Sequence, residues 1–267
     1  MKLAHKQKNQ RGFTLVELMV SVAIFIVISG AIFGLLGNSQ KTFRTETQLL
    51  SSFQEARLGM DQIVRDASDA GYPPKNHFSV TPAVTKFAVG PLGWQPGYLA
   101  AAPCLIGTAG GGTCVTPGDF DVIFEGDNND GAGVQWIRYQ LVGTTLFRGT
   151  VAKAAGTDPV TATNAAGVML PYVTNVMNNA SAAQITQFRA AYPGMYPGNV
   201  AQPIFQFTCD TAAGTVLCQN AGASNSPSNV RDVEITLIVM TTQTDAQTGK
   251  VRLVELNGRG HRINPNQ

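Results

Sequence analysis

The longest hydrophobic run of the chain lies close to its amino terminus. From Phe13 to Leu36 every residue except Glu17 is uncharged, and most are apolar. A helix over 13–36 rises about 36 Å at roughly 1.5 Å per residue, enough to cross a hydrocarbon core of about 30 Å. A carboxylate at the centre of such a helix is unfavourable by about 2.5–3.5 kcal/mol, and by less near an end. The run therefore predicts a membrane-spanning helix with a specific partner for Glu17; a Glu tolerated near the lipid head groups is the simpler alternative.

The helical pattern continues beyond this apolar run. No proline occurs from Asn38 to Ala70, and Gly71, followed after Tyr72 by two prolines, is a typical stop signal. We therefore expect the helix to continue over 37–71 as an amphipathic half. Apolar residues spaced by three, four or seven form its predicted buried stripe: Phe43, Leu50, Phe53, Met60, Val64 and Ala67.

After Pro74 the apolar residues alternate with polar ones, as they do in half-buried strands. The candidate strands are 119–125, 134–141, 145–148, 204–207, 233–240 and 251–256. The first three predict a meander, whereas residues 149–203 lack a clear period and are expected to form an insertion. The fold class predicted is α+β, with a long amino-terminal helix, half membrane-spanning and half amphipathic, packed on an antiparallel β-sheet with large loops.

The residues before the apolar run are basic. Lys2, Lys6, Lys8 and Arg11 place the amino terminus in the cytoplasm by the positive-inside rule, with the rest of the chain outside. The formal net charge is +2, but without these leader residues the 17 Asp and Glu outnumber the remaining Lys and Arg. No basic stripe with interleaved aromatic residues occurs in the sequence, so we expect no nucleic-acid partner.

The end of the leader resembles a known processing signal. Gly12, Phe13 and Glu17 have the identity and spacing of the class III signal of type IV pilins and pseudopilins. The resemblance implies that prepilin peptidase cuts between Gly12 and Phe13 and that the new amine of Phe13 is methylated. It also implies that Glu17 pairs with the terminal amine of a neighbouring subunit, an ion pair that can hold register inside an apolar bundle.

Two other targeting signals compete with this interpretation. A secretory signal has an apolar core of about 7–15 residues and a small-residue cleavage site, and this chain matches neither feature. A plain signal anchor fits the hydropathy, but it does not require Gly12 or Glu17.

The resemblance also implies an organisation and a location. Residues 1–12 are the leader, 13–36 the transmembrane half of the helix, 37–71 its amphipathic half, and 72–267 a β-rich periplasmic or extracellular domain. The protein then crosses the inner membrane once before it enters a pilus, where the tip is its expected position. The implied partners are other major and minor pilins through the helix, prepilin peptidase, the inner-membrane assembly platform, and membrane lipid before assembly.

Two further segments resemble a narrower group, the PilW-type minor pilins. The first lies in the second half of the helix, at Gln54, Glu55, Arg57, Asp61, Arg65, Asp66 and 70–72, and the second is the hairpin 124–139. The first segment is also similar to the minor pseudopilin J of type II secretion. The resemblance implies a low-abundance subunit that helps to prime or cap pilus assembly. The alternatives are a minor pseudopilin of a type II secretion system and a tip adhesin whose residues 149–203 bind a surface ligand.

All four cysteines lie beyond the membrane segment. An even number in an exported domain indicates two disulfides, and four cysteines allow three pairings. The short spacings favour the pairs Cys104–Cys114 and Cys209–Cys218. Neither pair has C-x-x-C spacing, which argues against a redox motif or a zinc ribbon.

Candidate catalytic and metal-binding residues are few. Asp127, Asn129 and Asp130 carry oxygens that could bind Ca²⁺, but their spacing does not match an EF-hand loop and a polar hairpin turn is preferred. After removal of the leader only His77 and His261 remain as histidines, and no H-E-x-x-H or G-x-S-x-G motif occurs. We therefore expect no catalytic site and no cofactor; an enzyme with dispersed catalytic residues is the rival class.

Overall fold

The computed structural model describes residues 12–99, 104–107, 114–212, 214–222, 225–242, 244–245 and 249–262. Apart from Gly12, the predicted leader lies outside the described residues. The α-helices are α1 (Leu15–Ser68), α2 (Pro159–Thr163) and α3 (Ala182–Ala191). The strands are β1 (Leu92–Gly93), β2 (Asp121–Gly126), β3 (Gln135–Val142), β4 (Thr145–Ala152), β5 (Leu170–Val173), β6 (Phe205–Thr211), β7 (Gly214–Leu217), β8 (Val230–Met240) and β9 (Leu253–His261). Short 3-10 helices include Lys75–His77, Val84–Lys86, Pro197–Asn199, Cys218–Asn220 and Pro227–Asn229.

Helix α1 continues without a break from the apolar run into the half that packs on the strands. It contains 54 residues and begins at the N-cap Thr14. Its C-cap is Asp69, and Gly71 follows with a φ of +89°. Glycine adopts this left-handed conformation without steric cost, so the chain turns away within one turn of the predicted stop signal.

The strands form two antiparallel sheets. The order is β1-β2-β3-β4-β5 in the first sheet and β7-β6-β8-β9 in the second. The predicted meander is β2-β3-β4, in which Ile137 pairs with Phe124 on one side and with Thr150 on the other. The α+β class, with a long amino-terminal helix on antiparallel strands, is confirmed. The short strands β1, β5 and β7 were missed because two to four residues cannot show a clear period.

Helix α1 packs on the second sheet through small residues. A Cβ atom on Gly258 of β9 would lie 2.8 Å from Met60 Sδ, and one on Gly260 would lie 2.3 Å from Ala67 Cβ. Any residue other than glycine would push the helix away from the strand. The two glycines therefore set the distance between α1 and β9.

The predicted apolar stripe of α1 coincides with the buried face only near its carboxyl end. Phe43 and Leu50 are 72% and 59% exposed. At 3.6 residues per turn, Leu50 lies nearly opposite Ile63, which is fully buried. The buried face includes Ala56 and Gly59, which a pattern based on large apolar side chains does not reveal.

Residues 149–203 belong to the core of the domain. Met177, Ile185, Phe188 and Tyr196 form a buried cluster with Ile238 of β8. The segment contains α2, β5 and α3; the expectation that it is an insertion with a variable surface stays a prediction. No clear hydrophobic period was visible because α2 has five residues and β5 has four, and only two of the ten residues of α3 are buried.

Both disulfides have the pairing that the short spacings favour. Cys104 is bonded to Cys114, and Cys209 is bonded to Cys218. All four residues are buried in the main hydrophobic core. Each bond therefore closes a short loop whose two cysteines are buried in the core.

Candidate functional site

The three residues of the predicted processing signal lie at the start of α1: Gly12 and Phe13 directly precede its N-cap, and Glu17 is in its first turn. Thr14 and Glu17 form a capping box: the Glu17 N–H donates to Thr14 Oγ1 at 3.3 Å, and Glu17 Oε2 accepts from the Thr14 N–H at 3.2 Å. This arrangement satisfies two backbone donors that the first turn of a helix leaves free. Gly12 has no neighbouring atom within 4 Å of an added Cβ, and the Phe13 side chain is exposed. The bond between them is thus accessible within the described part of the chain.

Glu17 retains capacity for another partner. Its Oε2 atom also accepts from the Thr14 hydroxyl at 3.1 Å, whereas Oε1 makes no hydrogen bond to any described residue. The carboxylate is held on the surface of the helix one turn after Phe13. An external cation can therefore approach Glu17 without breaking the cap.

The first half of α1 is apolar and uncovered. An 18-residue window of the helix has a mean hydropathy of 2.6, and none of that window is buried within the chain. Soluble monomers rarely expose contiguous apolar patches above a few hundred square ångströms. By length and composition this half of the helix can cross a membrane.

The second half of α1 is fastened to the first sheet by a buried carboxylate. Asp66 is 2% exposed, and its Oδ2 accepts hydrogen bonds from the Tyr139 hydroxyl at 2.6 Å and from Arg148 Nη2 at 3.1 Å. Its Oδ1 accepts from Gln62 Nε2 at 2.7 Å. Burial raises the pKa of Tyr139, and the charge of Asp66 raises it further, so the hydroxyl stays a donor.

This anchor was missed in the sequence, where charged residues on a helix usually lie on its solvated face. Nothing in the sequence around Asp66 indicates that its side chain is buried. A second helix anchor is the ion pair between Glu46 and Arg252 at 3.0 Å, and Arg252 also pairs with Asp245 at 2.6 Å. The buried Asp66 and the close packing of α1 on β9 hold the second half of α1 on the domain, whereas the exposed Glu46–Arg252 pair adds little.

A second buried carboxylate organises the segment that follows α1. Glu125 on β2 is fully buried and accepts hydrogen bonds from Lys153 Nζ at 2.7 Å and from Trp136 Nε1 at 2.8 Å. It also accepts from the Val89 N–H at 2.7 Å and from the Tyr98 hydroxyl. Burial raises the pKa of Tyr98 well above its usual value, with a further increase from the charge of Glu125. The network ties residues 89–98 to the first sheet.

The candidate calcium ligands cap the turn that contains them. Asp127 Oδ1 accepts from the Asn129 N–H at 2.8 Å, and Asp130 Oδ1 accepts from the Ala132 N–H at 2.9 Å. The Ala132 N–H and the Gln135 amide lower the pKa of Asp130. Among the described residues, no group of three His, Cys, Asp or Glu side chains is placed to hold a metal ion. The carboxylates act as turn caps, as expected of a polar hairpin.

Comparison with known proteins identifies one match. Residues 7–33 match the family model of the prokaryotic N-terminal methylation motif. No curated protein and no solved structure matches the chain significantly. The matched range includes Gly12, Phe13 and Glu17, and it ends before the segments that resemble PilW-type minor pilins.

The matched motif supports a protein of the type IV pilin or pseudopilin kind. Such a leader implies processing by prepilin peptidase and assembly with other pilins. The motif and the long apolar helix fit a membrane-anchored subunit. They also suggest a structural role instead of a catalytic one.

Proposed function

We propose that this chain is a minor pilin, a low-abundance subunit that helps to prime or cap a type IV pilus. The observation that carries the proposal is the continuity of α1. A methylation motif at residues 7–33 leads into one helix whose first half is apolar and uncovered and whose second half is bonded to a folded domain. A subunit of this shape can leave the membrane and enter a filament without refolding.

In this proposal the leader 1–12 is removed and Phe13 becomes the mature amino terminus. Prepilin peptidase cuts after Gly12 on the cytoplasmic side, where Lys2, Lys6, Lys8 and Arg11 retain the leader. The new amine of Phe13 is then methylated. Residues 13–36 cross the inner membrane once, and residues 72–267 form the periplasmic domain.

Glu17 is the proposed assembly contact. In lipid its charge is unfavourable, although the capping box offsets part of that cost. The free Oε1 atom leaves room for the terminal amine of a neighbouring subunit. Pairing these opposite charges inside a helix bundle fixes the vertical register between subunits.

The helix anchors allow the domain to move with the helix. Asp66 joins α1 to the first sheet through Tyr139 and Arg148, and Glu46 pairs with Arg252, which directly precedes β9. Force applied to the amino-terminal half by the inner-membrane assembly platform is therefore transmitted to the domain. This coupling suits a subunit that is extracted from the membrane.

The PilW-like position at the pilus tip is the finer part of the proposal. It rests on the resemblance of 54–72 and 124–139 to minor pilins. The motif at 7–33 is shared by pseudopilins, so a minor pseudopilin at the tip of a type II secretion filament is the second candidate. Deletion of the gene distinguishes them, because loss of pili supports the first and loss of secretion with intact pili supports the second.

The experiment that tests the central claim is mass spectrometry of the mature amino terminus. Purification from the native membrane should yield a chain that begins with N-methylated Phe13. A matched sample with Gly12→Leu should retain the leader if prepilin peptidase reads this glycine. A wild-type terminus at any other residue would overturn the proposed processing.

A further inference from the structure

Arg262, directly after β9, is a buried cation with unused hydrogen-bonding capacity. It is 6% exposed. Its Nη1 donates to the Val230 carbonyl at 2.6 Å and to the Ser228 carbonyl at 3.5 Å. Its Nε is buried without a partner, and its Nη2 makes no hydrogen bond to a described residue. One edge of the guanidinium is therefore unpaired.

This residue lines a cleft of about 490 Å³ beside the carboxyl end of α1. The cleft also contains Gly71, which lies against the unpaired edge: a Cβ added to Gly71 would be 3.0 Å from Nη2. Because glycine has no side chain, it does not cover this edge. Nε itself is buried, so a ligand in the cleft meets the Nη2 side of the guanidinium, beside Gly71, first.

The cleft is cationic and partly apolar. Lys75 is exposed at its rim, with its Nζ 5.9 Å from the centre of the Phe87 ring, and no Asp or Glu lines the cleft. Phe87, Pro74 and Pro91 provide apolar walls. A ligand that fits this lining combines a negative charge with a small apolar group.

An unpaired buried cation is energetically unfavourable. Burial lowers the pKa of Arg262 to about 10, and the charge of Asp210 only partly opposes that effect. An anion that binds the unpaired edge would restore the lost electrostatic stabilisation. Arginine suits planar carboxylates because its N–H groups lie in one plane.

We propose that this cleft binds a carboxylate carried on a small apolar group, with Arg262 at the base and Lys75 at the rim. Two kinds of molecule carry such a group: a peptide, at its carboxyl terminus, and a free aromatic or aliphatic acid. The cleft lies at the opposite end of the 54-residue helix from Glu17. The proposed contact therefore adds a second recognition site to the subunit, independent of packing through the amino-terminal helix.

The test uses the full chain, unassembled, in neutral detergent micelles at constant ionic strength. The Arg262 Nε–H signal is followed by NMR during titration with benzoate and with its neutral analogue benzamide. Benzoate should shift this signal and should bind at least about tenfold more tightly than benzamide, because only the acid pairs with the cation. Equal binding of the two compounds, or no shift at Arg262 with benzoate, would overturn the proposal.

Two variants and two peptides sharpen the test. Lys75→Gln should weaken benzoate binding by about two- to fivefold, as expected for one exposed charge. Lys86→Gln, an exposed lysine that does not line the cleft, is the matched control. Unchanged affinity for benzoate in Lys75→Gln, or an equal loss of affinity in both variants, would contradict the placement of Lys75 at the rim of the binding site.

The tripeptide N-acetyl-Gly-Ala-Phe and its carboxyl-terminal amide distinguish the two sources of the carboxylate. Tighter binding of the acid peptide than of benzoate assigns the cleft to a peptide terminus; tighter binding of benzoate assigns it to a free acid. Neither result depends on filament assembly. Failure here would leave the proposed pilin role intact, and failure of Phe13 processing would leave the cleft intact.

Discussion

The hydroxyl of Tyr139 on β3 donates a 2.6 Å hydrogen bond to the buried carboxylate of Asp66 on α1. The two residues are 73 positions apart in the chain. The bond joins the helix to the first sheet at a point from which water is excluded. It is supported by Arg148, which donates to the same carboxylate oxygen.

We expect Tyr139→Phe to lower the free energy of unfolding of the domain by about 1–3 kcal/mol, because Asp66 loses a donor in a buried site. Thermal and urea unfolding of the full chain in micelles measure this change. Tyr172→Phe is the control, since the Tyr172 hydroxyl makes no hydrogen bond to a described residue although its ring packs near Tyr139. Equal stability of Tyr139→Phe and wild type would show that Arg148 alone satisfies the carboxylate.

Replacing Glu17 with glutamine tests the assembly contact. The change keeps an oxygen for the capping box but removes the charge. We expect at least about tenfold less subunit in filaments, because breaking a buried ion pair costs about 3–5 kcal/mol. Immunoblots of sheared filaments measure how much subunit is incorporated, and immunoblots of membranes measure how much subunit is available for assembly.

Ser21→Ala is the matched control for that experiment. Ser21 lies in the same apolar half and donates only to the Glu17 carbonyl oxygen, at 2.7 Å. Its incorporation should equal that of wild type. If Glu17→Gln is incorporated normally, the charge of Glu17 has no role in assembly. If the variant is lost from the membrane itself, Glu17 is needed for the stability of the subunit and not for its assembly.

The close approach of α1 and β9 leads to a third prediction. Gly260→Ala places a Cβ 2.3 Å from Ala67 Cβ. The helix must shift, and we expect a loss of about 1–3 kcal/mol in the free energy of unfolding. Gly194→Ala, where an added Cβ meets no atom within 4 Å, should change that free energy by less than about 1 kcal/mol. Similar unfolding midpoints for the two variants would contradict the tight contact.

Tyr196 makes stability depend on pH in the alkaline range. Its hydroxyl donates to the Met177 carbonyl at 2.8 Å, and burial, with a smaller effect of Glu255, raises its pKa from 10.0 to about 12. Since the folded state holds this proton more tightly than the unfolded chain, its contribution is complete below pH 10.0 and is lost as the pH rises towards about 12.

The difference in unfolding free energy between wild type and Tyr196→Phe isolates this group from other residues that titrate in the same range. We expect the difference to be constant below pH 10 and to shrink above it. Urea unfolding at a series of pH values measures it. A difference that stays constant to pH 12 would mean that the hydroxyl is not held as the structure places it.

The amino-terminal helix of the protein could be predicted from local sequence. The apolar run from Phe13, the charge at Glu17 and the stop near Gly71 act over neighbouring residues, so periodicity and hydropathy are enough to reveal them. The longer strands β2, β3, β4, β6, β8 and β9 were visible for the same reason. The disulfide pairing followed from short loops, which bring Cys104 to Cys114 and Cys209 to Cys218.

The face of α1 that meets the domain was decided only by the tertiary structure. Phe43 and Leu50 are large and apolar yet exposed, whereas Asp66 is charged and buried. Their positions depend on glycines in β9 and on donors in β3 and β4, more than 70 residues away along the chain. Burial reflects the partner that a side chain meets after folding, and no local pattern carries that information. The unpaired edge of Arg262 arises in the same way, from a cleft that forms only when the end of β9 reaches the end of α1.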